Sequence, residues 1–355
     1  MQNIVKPIET FNIQNRKYLG SKSNLLAPLL KIMIDRVGEI YSFADLFAGT
    51  GVVAEGIKKI FPDAQLVVND ILFSNYIIYQ AFFGCNNIEV SVPKIYELID
   101  KFNQVDGYYG YVSHNFGGCY FTIENAKIID EIRDTIEEIY KKREINFKEK
   151  SILLTSLIYS IDKCANTCGQ YDSYLKHLGS KSMVNGIHKI DNNVYKKLEM
   201  KYPNYAVSKN KNLIVSMDAN ILVEHIHTQV VYIDPPYNTR QYIDNYHILE
   251  NIVKWNKPEV YGKTKKFKRD LLKSRYSQVK YAELAFRMLI KHIKAEHIFV
   301  SYNSEGLLER NEMLTILEKK GHVDIVELPY NVFGNGAGQS KKRVVTEYLF
   351  YLKCK

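Results

Sequence analysis

The 355-residue chain is 46% hydrophobic and 25% charged, proportions that are typical of a globular protein and exclude a disordered or collagen-like chain. Lys and Arg number 48 against 39 Asp and Glu, and the formal net charge of +9 favours a polyanionic partner. No apolar run approaches the ~18 residues that cross a bilayer, and the polar N-terminal residues predict no signal peptide. We therefore expect a cytoplasmic protein without a membrane partner.

The N-terminal part of the chain alternates strand and helix patterns. Apolar residues at helical spacing predict an opening helix over 22–37. A strand-like run at 41–47 leads through glycines into a helix that stops at Pro62, and a second apolar run at 65–70 leads into a helix over 71–83. Two successive β-α units predict a parallel sheet with right-handed crossovers.

The alternation returns in the C-terminal part. Strands are predicted at 212–220, 229–238, 296–303, 322–330 and 344–353, and helices at 246–255, 281–293 and 305–319. Because no helix separates the last two strands, they predict an antiparallel hairpin at the sheet edge.

The stretch between these parts has a different character. Long charged helical patterns at 123–145 and 147–164 lie among loops rich in Gly and Tyr. We predict an α/β catalytic domain from 1–84 and 211–355, with an inserted, mostly helical domain at 85–210.

The strongest chemical signal is the motif DPPY, Asp234-Pro235-Pro236-Tyr237, directly after a predicted strand. A ligand crevice is expected at the carboxyl end of a parallel strand. The prolines hold the Asp234 carboxylate and the Pro235 carbonyl outward as two acceptors, which suit a planar amino group, and Tyr237 offers a face for stacking. The motif therefore predicts methyl transfer to a planar nitrogen; a stiff turn is the alternative.

A second signal lies at the first strand-to-helix turn, FADLFAGTG. Its glycines allow a nucleotide-like ligand to approach the backbone, and Asp45 can pair with an ammonium. After Gly51 the next glycine is Gly56, so the dinucleotide fingerprint fails and an oxidoreductase is disfavoured. Asp70 is placed to accept from a ribose diol. Together with DPPY, the turn indicates S-adenosyl-L-methionine.

These motifs, in this order, resemble the adenine-specific DNA methyltransferases of the DNA adenine methylase (Dam-like, alpha) group. The motifs are RKYLGSK, FADLFAGTG, VVND, the insertion at 85–210 and DPPYNTRQY. Segments around them resemble the subset found in restriction-modification systems. The resemblance covers nearly the whole chain and implies a Rossmann-like methyltransferase sheet with the insertion as target-recognition domain.

The resemblance also implies residue roles. The implied cofactor-binding residues are Tyr18, Lys22, Asp45, Phe47, Gly49, Asp70, Asp218 and Asp234, and the catalytic residues are Asp234, Pro235, Pro236 and Tyr237. Without the resemblance, Asp218 is more typical of a helix N-cap and Lys22 of a solvated lysine.

The positive charge is concentrated in two stretches. Residues 254–280 contain ten basic and two acidic side chains with interleaved aromatic residues, and 141–210 contains thirteen basic and six acidic ones. We predict a phosphate clamp at Lys263, Lys265, Lys266, Lys268, Arg269, Lys273 and Arg275, the alternative being a solvated basic loop. Tyr246 and His247 could line the pocket or pack inside a helix.

The cysteines, Cys85, Cys119, Cys164, Cys168 and Cys354, are odd in number and scattered. They predict buried free thiols, neither a disulfide framework nor a metal site.

The predicted function is site-specific methylation of adenine N6 in double-stranded DNA, on a flipped-out base and without a metal. A cognate restriction endonuclease is possible in the same system. The alternatives are an RNA adenine or guanine amine methyltransferase and a catalytically inactive DNA-binding module.

Overall fold

A computed structural model of the chain describes residues 10–16, 18–84, 89–175, 192–204, 211–333 and 342–354. The chain divides into two compact units. Unit 1 comprises Met1–Leu19, Phe73–Ser208 and Ile243–Arg269, and unit 2 comprises Gly20–Leu72, Lys209–Tyr242 and Asp270–Lys355.

The strands and helices of the described residues follow in chain order. The strands are β1 (Thr10–Phe11), β2 (Ser42–Asp45), β3 (Gln65–Asn69), β4 (Tyr202–Pro203), β5 (Leu213–Val215), β6 (Thr228–Ile233), β7 (Ala295–Asn303), β8 (Val323–Phe333) and β9 (Lys342–Lys353). The helices are α1 (Leu26–Val37), α2 (Val52–Ile60), α3 (Phe73–Phe83), α4 (Val92–Gln104), α5 (Tyr111–Phe116), α6 (Ile123–Lys141), α7 (Phe147–Cys164), α8 (Ala219–His225), α9 (Tyr242–Lys254), α10 (Val279–His292) and α11 (Arg310–Leu317).

Unit 2 is built on a mostly parallel sheet of seven strands in the order β5-β3-β2-β6-β7-β9-β8. The first five strands run parallel, whereas β9 is antiparallel to both β7 and β8. The predicted α/β fold and the edge hairpin are therefore confirmed. All six residues of β6 are buried, as expected of a central strand that is covered on both faces.

The strand order reverses beside β2. From β2 the chain continues outward to β3, and after β5 it returns to the other side of β2 as β6 and proceeds to β7. Ala44 lies opposite Val231, and Asp45 opposite Tyr232. The carboxyl ends of these parallel strands therefore meet at the switch point of an α/β sheet, where ligands bind.

Helix α10 covers one face of the sheet. Phe286 and Leu289 are fully buried in one apolar cluster with Val231 of β6 and Ile298 of β7. Burying side chains of this size stabilises the fold by roughly 2 kcal/mol each. The ends of β2 and β6 are thus anchored in a packed core.

Unit 1 is mostly helical, with a two-residue parallel pairing of β1 and β4. Its division from unit 2 differs from the predicted domain boundaries, since α3 belongs to unit 1. The Lys148 ammonium of α7 donates to the carbonyls of Gln80 and Ala81 at 2.7 and 2.9 Å, which caps the carboxyl end of α3. Target recognition by 85–210 stays a prediction.

Two local predictions need correction. The helix predicted at 305–319 begins only at Arg310, because the Leu307 N–H donates to the Tyr237 carbonyl and the Leu308 N–H to the Tyr302 hydroxyl, which hold the preceding residues as a loop. The thiols are free but not uniformly buried: Cys164 is buried, whereas Cys168 is exposed. Cys85 lies outside the described residues.

Two features are absent from the described residues. No helix there is both long and apolar enough to cross a membrane. Nor does any group of three or more His, Cys, Asp or Glu side chains in these ranges form a metal-binding arrangement.

Candidate active site

Asp45, the last residue of β2, carries an unsatisfied buried carboxylate. The residue is 1% exposed, and its Oδ1 has no hydrogen-bond partner among the described residues. Burial raises its pKa well above the usual value, the nearby Asp234 carboxylate raises it further, and the Phe47 N–H lowers it. A buried acceptor without a donor is costly, so this oxygen fits a ligand that brings a cationic or N–H donor.

The loop after Asp45 is braced by Asp70. The Gly49 N–H donates to Asp70 Oδ2 at 3.0 Å, and the Leu72 N–H donates to Oδ1 at 2.9 Å. Gly49 and Gly51 have φ angles of 51° and 79°, a left-handed conformation that glycine adopts without strain. Each Asp70 carboxylate oxygen can still accept a further hydrogen bond, which leaves room for a ribose hydroxyl. The ribose-binding role of Asp70 stays a prediction.

Asp234, the first residue of DPPY, shares a buried lysine with a second carboxylate. The Lys22 ammonium lies 2.7 Å from Asp234 Oδ1 and 3.1 Å from Glu347 Oε1. Burial raises the pKa of Asp234 to about 6, while Lys22 lowers it and Glu347 raises it. Perturbed carboxylates of this kind concentrate at functional sites.

The rest of the DPPY motif is held by the loop after β7. Pro235 is buried, and Pro236 and Tyr237 are half-buried. The Tyr237 ring packs edge-on against Tyr302, with centroids 6.3 Å apart and planes at 76°. The Tyr237 carbonyl accepts the Leu307 N–H at 2.9 Å. Both the side chain and the backbone of Tyr237 are therefore held in place.

Asp218 caps a helix and pairs with an arginine. Its carboxylate accepts the Asn220 N–H at 2.8 Å at the start of α8, and Arg275 donates to its other oxygen at 3.0 Å. The N-cap alternative for Asp218 is therefore present in the structure, and its contact with a cofactor adenine stays a prediction.

Most of the predicted cofactor residues lie in unit 2, the exception being Tyr18 in unit 1. Its ring stacks on Tyr246, with centroids 4.5 Å apart and planes at 4°. The Asn75 amide donates to the Tyr18 hydroxyl at 3.1 Å. One face of the tyrosine is therefore already stacked within unit 1.

The comparison with known families agrees with this geometry. A family model described as D12 class N6 adenine-specific DNA methyltransferase matches residues 18–316. The chain belongs to this family. The resemblance drawn from the motifs is therefore confirmed.

Similar D12-family proteins include modification enzymes. The chain is 34% identical to the Type II methyltransferase M.FokI of Planomicrobium okeanokoites over 95% of this chain and 52% of that protein. It is 34% identical to the modification methylase StsI of Streptococcus sanguinis, over 96% and 52%. With the Type II methyltransferase M.NlaIII of Neisseria lactamica it shares 30% identity, over 94% and 97%. The chain thus spans about half the length of the first two relatives.

The predicted phosphate clamp of this D12-family chain is divided between the units and partly paired. Lys266 and Arg269 both pair with Asp244, and Lys273 pairs with Asp270 at 2.8 Å. Within the described ranges, Lys263, Lys265 and Lys268 make no ion pair. Paired and unpaired basic residues are therefore expected to differ in their availability to an anionic ligand.

The aromatic residues interleaved with this clamp differ in exposure. Phe267 and Tyr276 are 8% and 5% exposed, so they pack inside their units and cannot stack on a base. Tyr261 is 54% exposed, beside a tight turn closed by its pairing with Lys266. His247 and Tyr246 are fully buried, as expected of residues that pack inside a helix, and pocket lining by either residue stays a prediction.

Two buried ion pairs of this D12-family chain are not predicted from the sequence patterns. Glu347 pairs with Lys22, and Arg16 pairs with Asp162 in unit 1 at 2.9 Å. A signal existed for Glu347, since it is the one acid within the apolar run VVTEYLFYLK of β9. Charged residues are rarely fully buried without a partner, so an inward-facing acid in a strand predicts a buried cation.

Proposed function

We propose that the chain methylates N6 of adenine in double-stranded DNA at a specific sequence, as the modification enzyme of a restriction-modification system. The observation that carries the proposal is Asp234, a half-buried carboxylate at the carboxyl end of β6 that is paired with the buried Lys22 and whose pKa is raised to about 6. It lies at the switch point of the sheet, where a ligand is expected. The names of the similar proteins, which are modification methylases, support the same reaction.

The donor set at β2 fits S-adenosyl-L-methionine. When bound, this cofactor supplies a methyl group on a sulfonium, and the electron pair of the broken C–S bond stays on sulfur. The unpartnered Asp45 oxygen would accept from its ammonium, and Asp70 from its ribose. Phe47 and Gly49 form the loop between these two carboxylates.

Asp234 and the Pro235 carbonyl would act on the target amine. An adenine amine is a poor nucleophile because its lone pair is delocalised into the ring. Two acceptors that draw on its two hydrogens favour a pyramidal nitrogen, and Tyr237 would stack on the ring. The base must leave the helix first, since its amine is not accessible in line within the stack.

The unpaired lysines Lys263, Lys265 and Lys268 would contact DNA phosphates. The segment 85–210 would act as the target-recognition domain, and a restriction endonuclease would cut the unmethylated site. Because the proposed substrate is DNA, the proposed location of the reaction is the cytoplasm.

The test is methyl transfer by the chain itself. Purified protein is incubated with radiolabelled S-adenosyl-L-methionine and either duplex DNA from a methylation-free host or total RNA. Modified adenines in the DNA are then located by single-molecule sequencing. We expect N6-methyladenine at one short sequence, and none with Asp234→Asn.

Three results would contradict the proposal. Methylation of RNA in preference to DNA would support the alternative substrate. Sequence-specific DNA binding without methyl transfer would support the inactive module. Undiminished transfer by Asp234→Asn would remove the proposed role of this carboxylate.

A further inference from the structure

Glu347 is a buried carboxylate that is linked to Asp234 of the DPPY motif through Lys22, which pairs with both. It lies on β9 opposite Asn303 of β7 and is 1% exposed. Its Oε1 accepts a hydrogen bond from the Ser301 hydroxyl and lies 3.1 Å from the Lys22 ammonium. The residue falls outside residues 18–316, which match the family model.

The number of charges around Lys22 matters for the reaction. With Asp234 alone, the ammonium would form a neutral pair, and its charge would oppose the attraction between Asp234 and the target amine. During transfer the N6 lone pair forms the new N–C bond while the C–S pair stays on sulfur, so the positive charge moves from sulfur to N6 until the methylated nitrogen releases one of its two protons to water. A cluster of two carboxylates and one ammonium carries a net charge of −1 and attracts that developing charge.

We propose that Glu347 is a positioning residue that takes up the charge of Lys22, so that Asp234 remains an effective anionic acceptor for the target amine. The inference rests on the proposed function. Ser301 holds Glu347 in place across the β7-β9 pairing, and Lys22 transmits its effect to Asp234. Glu347 itself touches neither substrate nor cofactor in this scheme.

The pKa of Asp234 agrees with this role, because Glu347 raises it and so strengthens the carboxylate as an acceptor, while the value of about 6 leaves most of the group ionised at pH 7. Burial is the largest cause of this pKa value, and Lys22 lowers it. Two other ionisable groups lie close to Asp234: Asp45 on β2 and Tyr232 on β6. Lys22 lowers the pKa of both groups but forms an ion pair with neither, so removal of Glu347 leaves Asp234 as the one carboxylate paired with the lysine among the described residues.

The test compares Glu347→Gln with Glu327→Gln. Glu327 lies on the neighbouring strand β8, and its side chain is 59% exposed, which makes it a matched control. For Glu347→Gln we expect kcat to fall about tenfold, with KM for DNA and for the cofactor within about twofold of wild type. Glu327→Gln should match wild type in all three constants.

A second measurement needs no methyl transfer. The Asp234 carboxyl is titrated by carbon-13 NMR in the protein without cofactor, with Asp234→Asn for assignment. In Glu347→Gln the Asp234 pKa should fall by about 1 unit from its wild-type value, the scale of one nearby charge. The acidic limb of the kcat profile should move in the same direction.

The outcomes separate the two proposals. If the wild type transfers no methyl group, the proposed function fails, while the NMR titration still tests the coupling of Glu347 to Asp234. An active Glu347→Gln enzyme with wild-type kcat and an unmoved Asp234 pKa would overturn the inference, as would a loss of stability alone. Should this variant not fold, Ser301→Ala replaces it: a smaller change in the same direction supports the proposal, and no change overturns it.

Discussion

Two buried cations lie six residues apart in the chain, and they differ in how their charge is satisfied. Arg16 in unit 1 pairs with Asp162, donates to Asn75 at 2.8 Å and lies over the rings of Tyr18 and Tyr246. Its charge meets one acid and two neutral aromatic faces. Lys22 in unit 2 meets two carboxylates, and Asp45 adds a third to the same region.

The difference separates scaffold from site. A cation matched by one acid and aromatic faces holds elements together, because its charge is neutralised within the fold even though the Arg16 Nη2 atom has no hydrogen-bond partner among the described residues. A cluster with excess negative charge raises the energy of the folded protein until a cation or a developing positive charge arrives. Perturbed carboxylates gather at active sites for this reason.

The largest expected effect is the loss of catalytic rate that the substitution Lys22→Met causes. Without the ammonium, the pKa of Asp234 rises further, since Lys22 lowers it in the wild type. At pH 7 more Asp234 is then protonated and cannot accept from the amine. We expect kcat to fall by about 10²–10³-fold and its acidic limb to move to higher pH, opposite to Glu347→Gln. A fall in kcat that does not vary with pH would contradict this account.

Arg16→Met should act on stability instead. Removing one partner of a buried ion pair leaves the Asp162 charge uncompensated, which costs about 3–5 kcal/mol in unfolding free energy. The comparison variant is Arg36→Met, whose ion pair with Asp324 is 42% and 35% exposed and should cost less than about 1 kcal/mol. Urea unfolding measures both. Equal losses would show that burial does not distinguish the two arginines.

Asp45→Asn should stabilise the protein without cofactor. Because the folded-state pKa of Asp45 is raised, the folded chain holds its proton more tightly than the unfolded chain does. The carboxylate therefore destabilises the folded state once the pH exceeds the unfolded value near 3.9, and increasingly so as the pH rises. We expect a gain of about 1–3 kcal/mol at pH 8 that shrinks toward pH 5.

The exposed residue Asp35 provides the matched substitution, Asp35→Asn, with no expected gain at either pH. Cofactor affinity, measured by calorimetry, should fall for Asp45→Asn only. A pH-independent gain, or unchanged cofactor affinity, would assign Asp45 to the scaffold and remove the contrast with Arg16.

The sequence predicted the part of the site that is local in the chain. Asp45 is the last residue of the apolar strand β2 and Asp234 directly follows the apolar strand β6, and the strand order brings those ends together. The partners of Arg16 and Lys22 come from other elements: Asp162 is 146 residues from Arg16, and Glu347 lies on the last strand. Hydrophobic periodicity carries no information on ion pairs between residues that are distant in the chain. The ion pair between Arg275 and Asp218 was not predicted for the same reason.

The smallest expected effects come from the basic segment, where the same contrast of paired and unpaired charge applies. Lys263 and Lys268 are exposed and make no ion pair within the described ranges, whereas Lys273 pairs with Asp270. Each lysine that contacts a phosphate contributes about 0.9 to the slope of log affinity against log salt. We expect Lys263→Gln and Lys268→Gln each to flatten that slope by about this amount, and Lys273→Gln to flatten it less, with cofactor affinity unchanged. If Lys273→Gln flattens the slope as much as the other two variants do, an ion pair with Asp270 does not prevent Lys273 from contacting DNA. The reason would be that an exposed ion pair is weak enough for a phosphate to displace the carboxylate.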